Sequence, residues 1–477
     1  MATANEQDEL IGLVDALCRG ALTDAQMDRL AARGPEAMRL VILAANARLA
    51  AARGAGISVS TPSGMIPIYH KPSVAKRNKK PGARKGHTGT RRDKPAKIDA
   101  HQEHRLAVCP CCSGELQRCN RTRKRVIEDI PAHITPVVTE HTVHRDYCPH
   151  CKKHVEPVVP DAMPKASLGH NLMAFSAWCH YGLSVTLSQV RDILGSHLHT
   201  HVSGGGLIDG WKRLADALLP WYQQIAREAK DSAVLHADET GWRVDGQTHW
   251  LWCFVNHRNC YYMIDKRRGG TALQRFFTEA FGGTLVHDFW AAYEQVSAED
   301  RQYCLVHLLR ELEKVDEHND APEWLGFAKQ LRRLIRDGIR LRKRKDFTPQ
   351  KYDRRIKLIH RRLCALADEP RLESDSRRLT ERLSRHRDHL FTFLDRVEVP
   401  FENNTAERAI RPAVIIRKNS LCNRSERGAL TQAVLMSVFR TLRLRGHDPT
   451  SAIANALRSM LQNRTLPNMP AEIVAGG

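Results

Sequence analysis

The sequence predicts a multidomain α/β protein, and three observations lead to this fold class. Apolar runs rich in β-branched and aromatic residues alternate with helical patterns over residues 231–313. Two C-x-x-C pairs precede that region, at residues 109–112 and 148–151. Long amphipathic patterns, dense in arginine and lysine, follow it over residues 320–395. Strands, a cysteine module and helical segments are therefore expected in one chain.

The composition indicates a basic intracellular protein. The 477 residues carry a formal net charge of +21, which favours an anionic partner such as DNA over the alternative of a basic solubility surface or a ribosomal-type protein. The sequence contains no run of about 18 apolar residues, so we expect no membrane span. The N-terminus lacks the charged and apolar regions of a signal peptide. We expect a cytoplasmic, reducing location, where the 13 cysteines are metal ligands or buried thiols.

The first 100 residues are expected to form a helical region followed by a basic linker. Leucines recur at helical spacing within residues 1–52, which predicts either an oligomerising hairpin or an arm packed on its own chain. Residues 53–100 form the flexible linker, whose stretch 71–97 contains a single acid, Asp93. A solvated linker is the alternative to an arm that follows DNA phosphates. The candidate DNA-binding residues of this arm are Lys79, Lys80, Arg84 and Lys85.

Residues 101–162 are predicted to form a zinc ribbon. Two C-x-x-C pairs in a reducing compartment are typical of a tetrahedral Cys₄ zinc site. The loop between them, residues 113–147, is longer than the usual roughly 15–20 residues. Cys111 and Cys119 are alternative ligands, and unligated thiols or a redox pair are the alternative to zinc. The four expected ligands are Cys109, Cys112, Cys148 and Cys151.

Residues 163–228 are predicted to be helical, with a break at HTHVSGGGL. Two helices separated by a glycine-containing turn are compatible with a DNA-binding helix-turn-helix, and a structural helical domain is the alternative.

Residues 229–447 are expected to form a ribonuclease-H-like catalytic domain. Three strands joined by short turns predict an antiparallel meander, and strand–helix–strand then adds parallel strands. A helical insertion, residues 318–396, interrupts this domain, and residues 448–477 form a last helix and a tail. The expected strands are AVLHADE, HWLWCFVN, CYYMIDKR, GTLVHD and QYCLV, with a helix TALQRFFTEAF before the fourth.

Three acidic residues are candidates for a divalent-metal site. Asp238 and Asp288 each end an apolar run, and Glu407 lies in a helical segment beyond the insertion. A carboxylate beside a sheet core is costly unless it is paired or holds a metal. Mg²⁺ prefers such hard oxygen ligands, and two ions can activate and stabilise the oxygens of a phosphodiester cleavage.

Each acid also has a structural explanation. Asp238 could cap a turn while Glu239 is the ligand, and strand alternation allows only one of the two to face the site. Asp288 could cap the helix FWAAYEQV, and Glu407 could pair with Arg411 at i, i+4. The common strand-end position of the two aspartates favours the metal site.

Four motifs resemble the bacterial insertion sequence 66 family of DDE transposases: HADETGWRVDG, HDFWAAY, CLVHLLREL and ENNTAERAIRPAVIIRKNSLCNRSERGA. The resemblance implies that Asp238, Asp288 and Glu407 are the DDE triad and bind Mg²⁺ or Mn²⁺. The family's C-W-A-H-x-R-R element corresponds to Cys304-Leu-Val-His307-Leu-Leu-Arg310, which lacks the tryptophan.

The implied activity is transposition: water cuts the DNA at each transposon end, and the freed 3′-OH then attacks target DNA. The implied partners are double-stranded DNA (transposon ends and target), further copies of the chain in a homo-oligomer on DNA, and accessory transposition proteins, at the bacterial nucleoid. The rivals are a ribonuclease-H-like nuclease without strand transfer, a non-enzymatic zinc-containing DNA-binding regulator and, less favoured, an RNA-binding protein. Candidates for DNA contact near the cut are Asn403, Asn404, Arg408, Arg411, Arg417, Lys418 and Asn419.

Overall fold

The computed structural model describes residues 95–117, 123–131 and 134–473, together with residues 13, 16, 23–35, 38, 39, 41, 42 and 44. In the N-terminal region predicted to be helical, helix α1 spans Asp24–Ala32. The Thr23 N–H before it donates to Gln26 Oε1 at 3.0 Å, which satisfies one free donor at the helix start. The predicted DNA-binding residues of the basic linker, Lys79, Lys80, Arg84 and Lys85, lie outside the described residues.

A five-stranded mixed sheet lies in the middle of the chain. Its strands are β3 Val234–Val244, β4 Gln247–Val255, β5 Cys260–Asp265, β6 Phe281–His287 and β7 Ala298–Tyr303, while a separate short hairpin consists of β1 Asp146–Cys148 and β2 Lys153–Val155. The spatial order of the sheet is β5-β4-β3-β6-β7. The first three strands pair antiparallel, and β6 and β7 are added parallel to β3. A mixed α/β fold, as predicted, is therefore present.

Strand β3 is longer than the predicted AVLHADE. Its pairing with β4 continues to Val244 and Gln247, across a tight turn at Asp245 and Gly246. Both turn residues have positive φ, +48° and +71°, which is the geometry of the two-residue turns that match strand twist. The hairpin therefore continues past Asp238 to Val244, and Asp238 lies within β3 and not at the strand end where it was expected.

The fifth strand was predicted wrongly as QYCLV. Strand β7 occupies Ala298–Tyr303, and Leu305 already begins helix α7. The reason is that this edge strand carries polar residues, whereas the apolar run that follows is the buried stripe of an amphipathic helix. Helix α6, Gly270–Phe276, is likewise shorter than predicted.

The helices before the sheet share its hydrophobic core. Trp211 and Trp221 are buried in the same cluster as Trp242 of β3, so the boundary expected near residue 228 does not separate two cores. The Gly-rich segment predicted as a turn is the first turn of α4, where Ser203 Oγ accepts the N–H of Gly206 at 3.1 Å. These helices are α2 His170–Ala177, a π-helical turn Trp178–Gly182, α3 Leu187–Leu198, α4 Gly204–Ala217 and α5 Leu219–Lys230.

The segment 318–396 is helical and has a core of its own. Trp324, Phe327 and Leu363 are among the buried residues of this cluster, which also includes Tyr303 at the end of β7. The insertion is therefore packed against the sheet edge. Its helices, with the preceding α7, are α7 Leu305–Asp316, α8 Pro322–Arg342, α9 Pro349–Asp368, α10 Ser374–His386 and α11 Thr392–Asp395.

Three helices complete the fold: α12 Asn404–Ser420, α13 Glu426–Leu444 and α14 Pro449–Asn463. Helix α13 covers the edge strand β5, where Ser437 Oγ accepts the N–H of Tyr262 at 2.8 Å and Thr441 Oγ1 accepts that of Cys260 at 3.0 Å. Free N–H groups of a sheet edge are thereby satisfied. Among the residues described, no helix combines the length and apolar character needed to cross a membrane.

Candidate active site

Asp238 lies on the face of β3 that is covered by helix α12. Its neighbours two residues away on the same face both contact that helix or its cap: His236 Nδ1 is 3.0 Å from Asn403 Oδ1, and Thr240 Oγ1 accepts a hydrogen bond from Arg417 at 3.0 Å. Side chains alternate along a strand, so Asp238 points the same way. This places Asp238 beside the helix that carries Glu407.

Asp288 follows directly after strand β6 and lies level with Asp238. The parallel register pairs His236 with Val286, so the same offset brings position 238 opposite position 288. Asp288 Oδ1 accepts the N–H of Trp290 at 2.9 Å, which holds the carboxylate in a turn. The helix predicted after Asp288 is a short 3₁₀ turn, Ala291–Gln295.

Glu407 lies in the first turn of α12, and its ion partners come from α7. Its Oε1 atom is 3.6 Å from His307 Nε2 and 3.5 Å from Arg310 Nη1. The same Oε1 atom is buried and has no hydrogen-bond partner. A carboxylate oxygen in this state can accept a cation. Glu407 therefore pairs with residues of α7, and not with Arg411 of its own helix as the structural explanation from the sequence required.

Burial and neighbouring acids raise the pKa of Asp238 and of Asp288. Burial raises the pKa of Asp238 well above its usual range, and the charges of Glu239, Asp288 and Glu407 add to the effect. Burial also raises the pKa of Asp288, with a further contribution from Glu407. The atoms of all three do not lie within 4.8 Å of one another.

Glu239 lies on the opposite face of β3 and is held by protein groups. Its carboxylate accepts hydrogen bonds from Tyr293 Oη at 2.6 Å and Arg268 Nη2 at 3.2 Å. The Arg268 guanidinium lies over the rings of Trp290 and Trp250, 3.8 and 4.4 Å from their centres. Burial and the nearby Asp288 raise the pKa of Glu239 to about 7. This network behind the site was not predicted from the sequence.

Asn403 does not fit the prediction that it contacts DNA. Its side chain is buried, with 1% of the residue exposed, and its Nδ2 atom donates to the carbonyl oxygen of Ala237 at 2.8 Å. Since its Oδ1 atom faces His236, both ends of the amide have partners within the protein. Asn403 instead joins the start of the Glu407 helix to the Asp238 strand, a role that depends on contacts too distant in sequence to predict.

The other candidates for DNA contact divide into engaged and exposed groups. Arg417 is half-buried and also donates to the Gly241 carbonyl oxygen, and Asn404 donates to the Glu402 carboxylate. The exposed residues of helix α12 that remain from the predicted set are Arg408, Arg411, Lys418 and Asn419. Two of these also have a partner in the protein, since Arg408 donates to Asn404 O and Asn419 donates to Ser184 O.

Each predicted pair of zinc ligands forms a knuckle. In the first, the Cys109 N–H donates to Gly114 O at 2.9 Å, and in the second the Cys151 N–H donates to Cys148 Sγ at 3.4 Å. Hydrogen bonds from the N–H groups of Cys111 and Cys112 lower the pKa of Cys109, and those of Cys151 and His150 lower the pKa of Cys148. Thiolates stabilised in this way are suited to metal binding.

The structure does not bring the two knuckles together at metal-binding distance. Among the residues it describes, the one group of three potential ligands within 4.8 Å of one another is Cys304, His307 and Glu407. Cys111 is exposed, and Cys119 lies outside the described residues.

Comparison with known proteins identifies the family. Residues 165–431, more than half of the chain, match the model of the transposase IS66 family. The chain is 24% identical over 407 residues to the uncharacterized protein y4jD of Sinorhizobium fredii, covering 78% of each chain. It is 23% identical over 401 residues to y4hP of the same organism, covering 73% of this chain and 70% of the relative. The protein therefore belongs to the IS66 family of transposases.

Proposed function

We propose that this protein is a DNA transposase whose catalytic triad is Asp238, Asp288 and Glu407. The proposal is supported most by the electrostatic effect of Asp288, after β6, and of Glu407, in the first turn of α12, on Asp238 of β3, in a chain of a transposase family. The protein cuts DNA at the transposon ends. It then joins the freed 3′-OH ends to target DNA.

The order of the strands supports a ribonuclease-H-like catalytic core. An antiparallel meander of three strands is followed by two strands parallel to β3. The helical insertion lies between Asp288 and Glu407 in sequence, and α12 returns to the sheet beside Asp238. Two central strands and one returning helix can thus supply the three acids despite their separation in sequence.

The donor set fits Mg²⁺ or Mn²⁺. All three side chains offer hard oxygen ligands. Burial and the charges of neighbouring acids raise the pKa of Asp238 and Asp288, and Glu407 Oε1 is buried without a hydrogen-bond partner. When bound, the ions activate the attacking oxygen and stabilise the leaving oxygen of the phosphodiester. Asp238 and Asp288 would hold the ions between adjacent strands, and Glu407 would complete the site from the helix.

Residues around the triad hold it in place and neutralise DNA. Asn403 fixes the start of α12 against β3 through its bond to Ala237. The exposed Arg408, Arg411 and Lys418 of the same helix can contact phosphates near the cut. Arg417 donates to Thr240 Oγ1 and so holds α12 against β3.

The domains outside the core have supporting roles in this proposal. Residues 101–162 would bind zinc through Cys109, Cys112, Cys148 and Cys151, which requires the two knuckles, separate in this structure, to come together around the ion. The basic linker before them follows DNA. The N–H···S contacts of both knuckles support zinc binding. Residues 163–228 contribute DNA-facing helices, the copies assemble on DNA, and accessory transposition proteins assist.

A strand-transfer assay tests the proposal. Purified full-length protein is incubated with Mg²⁺ or Mn²⁺ and a target plasmid, in one reaction with oligonucleotides that carry pre-cut ends of its own element and in another with uncut ends that keep their flanking DNA. We expect joined products that depend on the 3′-OH. Cutting without joining would support a nuclease instead. DNA binding with neither cutting nor joining would support a non-enzymatic regulator.

A further inference from the structure

A cysteine, a histidine and a glutamate meet beside the proposed catalytic site. The ligand atoms of Cys304, His307 and Glu407 all lie within 4.8 Å of one another. We propose that these three residues form a second metal site, selective for a thiophilic divalent cation such as Zn²⁺, which shares Glu407 with the catalytic triad. Zn²⁺ bound there withdraws Glu407 from catalysis.

The fold builds the site from two helix starts. Cys304 precedes the first residue of α7, and His307 follows three positions later, so both belong to the same first turn. The N–H of Cys304 donates to His287 O at 2.9 Å, and that of Leu305 donates to Phe401 O at 3.0 Å. These bonds join the start of α7 to the end of β6 and to the segment before α12. The ligands are therefore held by backbone structure.

Two of the three ligands have unused coordination capacity. His307 Nδ1 and Glu407 Oε1 are both buried without a hydrogen-bond partner. Buried polar atoms of this kind need an explanation, and an ion is one. The existing contacts of Glu407 Oε1, 3.6 Å to His307 Nε2 and 3.5 Å to Arg310 Nη1, are long for hydrogen bonds. The Arg310 side chain is half-exposed and can move aside.

The donor chemistry selects the metal. A thiolate, an imidazole and a carboxylate are each common zinc ligands, and three protein ligands with an open fourth position are typical of catalytic zinc sites. Mg²⁺ requires oxygen ligands in octahedral geometry and is not suited to a sulfur donor. Cys304 Sγ already accepts the N–H of Asn403 at 3.2 Å, a contact that a thiolate strengthens. On binding, the thiol proton passes to solvent and a metal–sulfur bond forms.

Inhibition follows from the shared ligand, and this part of the inference rests on the proposed function. One carboxylate that coordinates an ion beside Cys304 cannot keep its geometry toward Asp238 and Asp288. Zn²⁺ should therefore inhibit Mg²⁺-supported cleavage, and added Mg²⁺ should relieve this poorly because it does not occupy the sulfur site.

Zinc counting tests the site without any activity assay. Metal-free full-length protein is saturated with Zn²⁺, and the tightly bound metal is measured by elemental analysis for the wild type, Cys304→Ser, His307→Asn and the control Cys364→Ser. Cys364 is a half-buried thiol on α9. We expect both site variants to bind about one ion per chain fewer than wild type, while the control does not. The predicted ribbon cysteines contribute equally to all four proteins.

Equal zinc content in wild type, Cys304→Ser and His307→Asn would overturn the site. His307→Asn changes a partly exposed side chain, so it remains informative even if Cys304→Ser fails to fold. A parallel assay measures the Zn²⁺ concentration that halves Mg²⁺-supported cleavage, relative to each variant's own Mg²⁺ rate. Removing a ligand should raise this concentration at least about tenfold. If wild type cuts no DNA at all, the proposed function fails, but the zinc count still decides the site.

Discussion

Asn403 Nδ2 donates a hydrogen bond to the carbonyl oxygen of Ala237 at 2.8 Å, one residue before Asp238. Because Asn403 also precedes the first residue of α12, this bond joins the strand of the first proposed catalytic acid to the helix of the third. The position of Glu407 relative to Asp238 thus depends on a residue that carries no charge. The first prediction tests this link.

Replacement of Asn403 by alanine should reduce cleavage about 100-fold, because a small displacement of a catalytic group has an effect of this size. It should also lower the free energy of unfolding by about 1–3 kcal/mol, since the Ala237 carbonyl and His236 lose their buried partner. Denaturant unfolding and end-cleavage rates measure the two effects. The control is Asn404→Ala, which removes only a contact to Glu402. Equal cleavage by both variants would contradict the role of Asn403.

Tyr293→Phe should destabilise the protein by about 1–3 kcal/mol, because the buried Glu239 carboxylate loses its 2.6 Å hydrogen bond. Urea unfolding checks this against Tyr352→Phe, whose hydroxyl makes one long contact of 3.4 Å to Leu394 O. If Tyr293→Phe and Tyr352→Phe lower the free energy of unfolding equally, the hydrogen bond from Tyr293 to Glu239 contributes less to stability than its burial indicates.

The exposed cations of α12 should contribute to DNA affinity through phosphates. Arg411→Ala should weaken binding similarly for all sequences, and the slope of log affinity against log salt should fall by about 0.9, as expected for one phosphate contact. Arg411→Lys keeps the charge and should retain most of the affinity. Fluorescence anisotropy over a range of salt concentrations measures both. An unchanged slope in Arg411→Ala would place this arginine away from the DNA.

A comparison of variants at Cys112 and at its neighbour Cys111 shows which of the two is the zinc ligand. Cys112→Ser should lose the metal of the ribbon, about one zinc per chain, whereas Cys111→Ser should keep it. Metal content and the free energy of unfolding, measured with and without a chelator, report the difference. The reverse result would make Cys111 the ligand.

Local patterns predicted the sheet well. The runs of β-branched and aromatic residues indicated β3 to β6, and Asp245-Gly246 indicated the hairpin turn, because these signals depend on neighbouring residues. Strand β7 was misplaced because its polar sequence Ala298–Tyr303 has no apolar alternation to detect. An edge strand is held by backbone pairing, which side-chain patterns reveal poorly.

In the candidate site too, local patterns predicted some residues, whereas contacts between distant segments could not be predicted. Acidic residues after apolar runs indicated Asp238 and Asp288. Only Asp288 follows a strand end, because β3 continues to Val244. Strand alternation required that only one of Asp238 and Glu239 face the site. The buried role of Asn403 and the meeting of Cys304 with Glu407 depend on how α7 and α12 pack. Such contacts between segments about 100 residues apart leave no periodic signal in the sequence.

The most direct test of the triad is a comparison of end cleavage and DNA binding for Asp238→Asn, Asp288→Asn and Glu407→Gln. Each substitution keeps the shape of the side chain and removes the charge that holds the divalent ion. The control is Glu381→Gln, an exposed acid of the helical insertion. We predict that all three site variants lose cleavage by at least about 1,000-fold in Mg²⁺, while DNA binding and the control remain at wild-type level. Cleavage at the wild-type rate by any one of the three would contradict the triad.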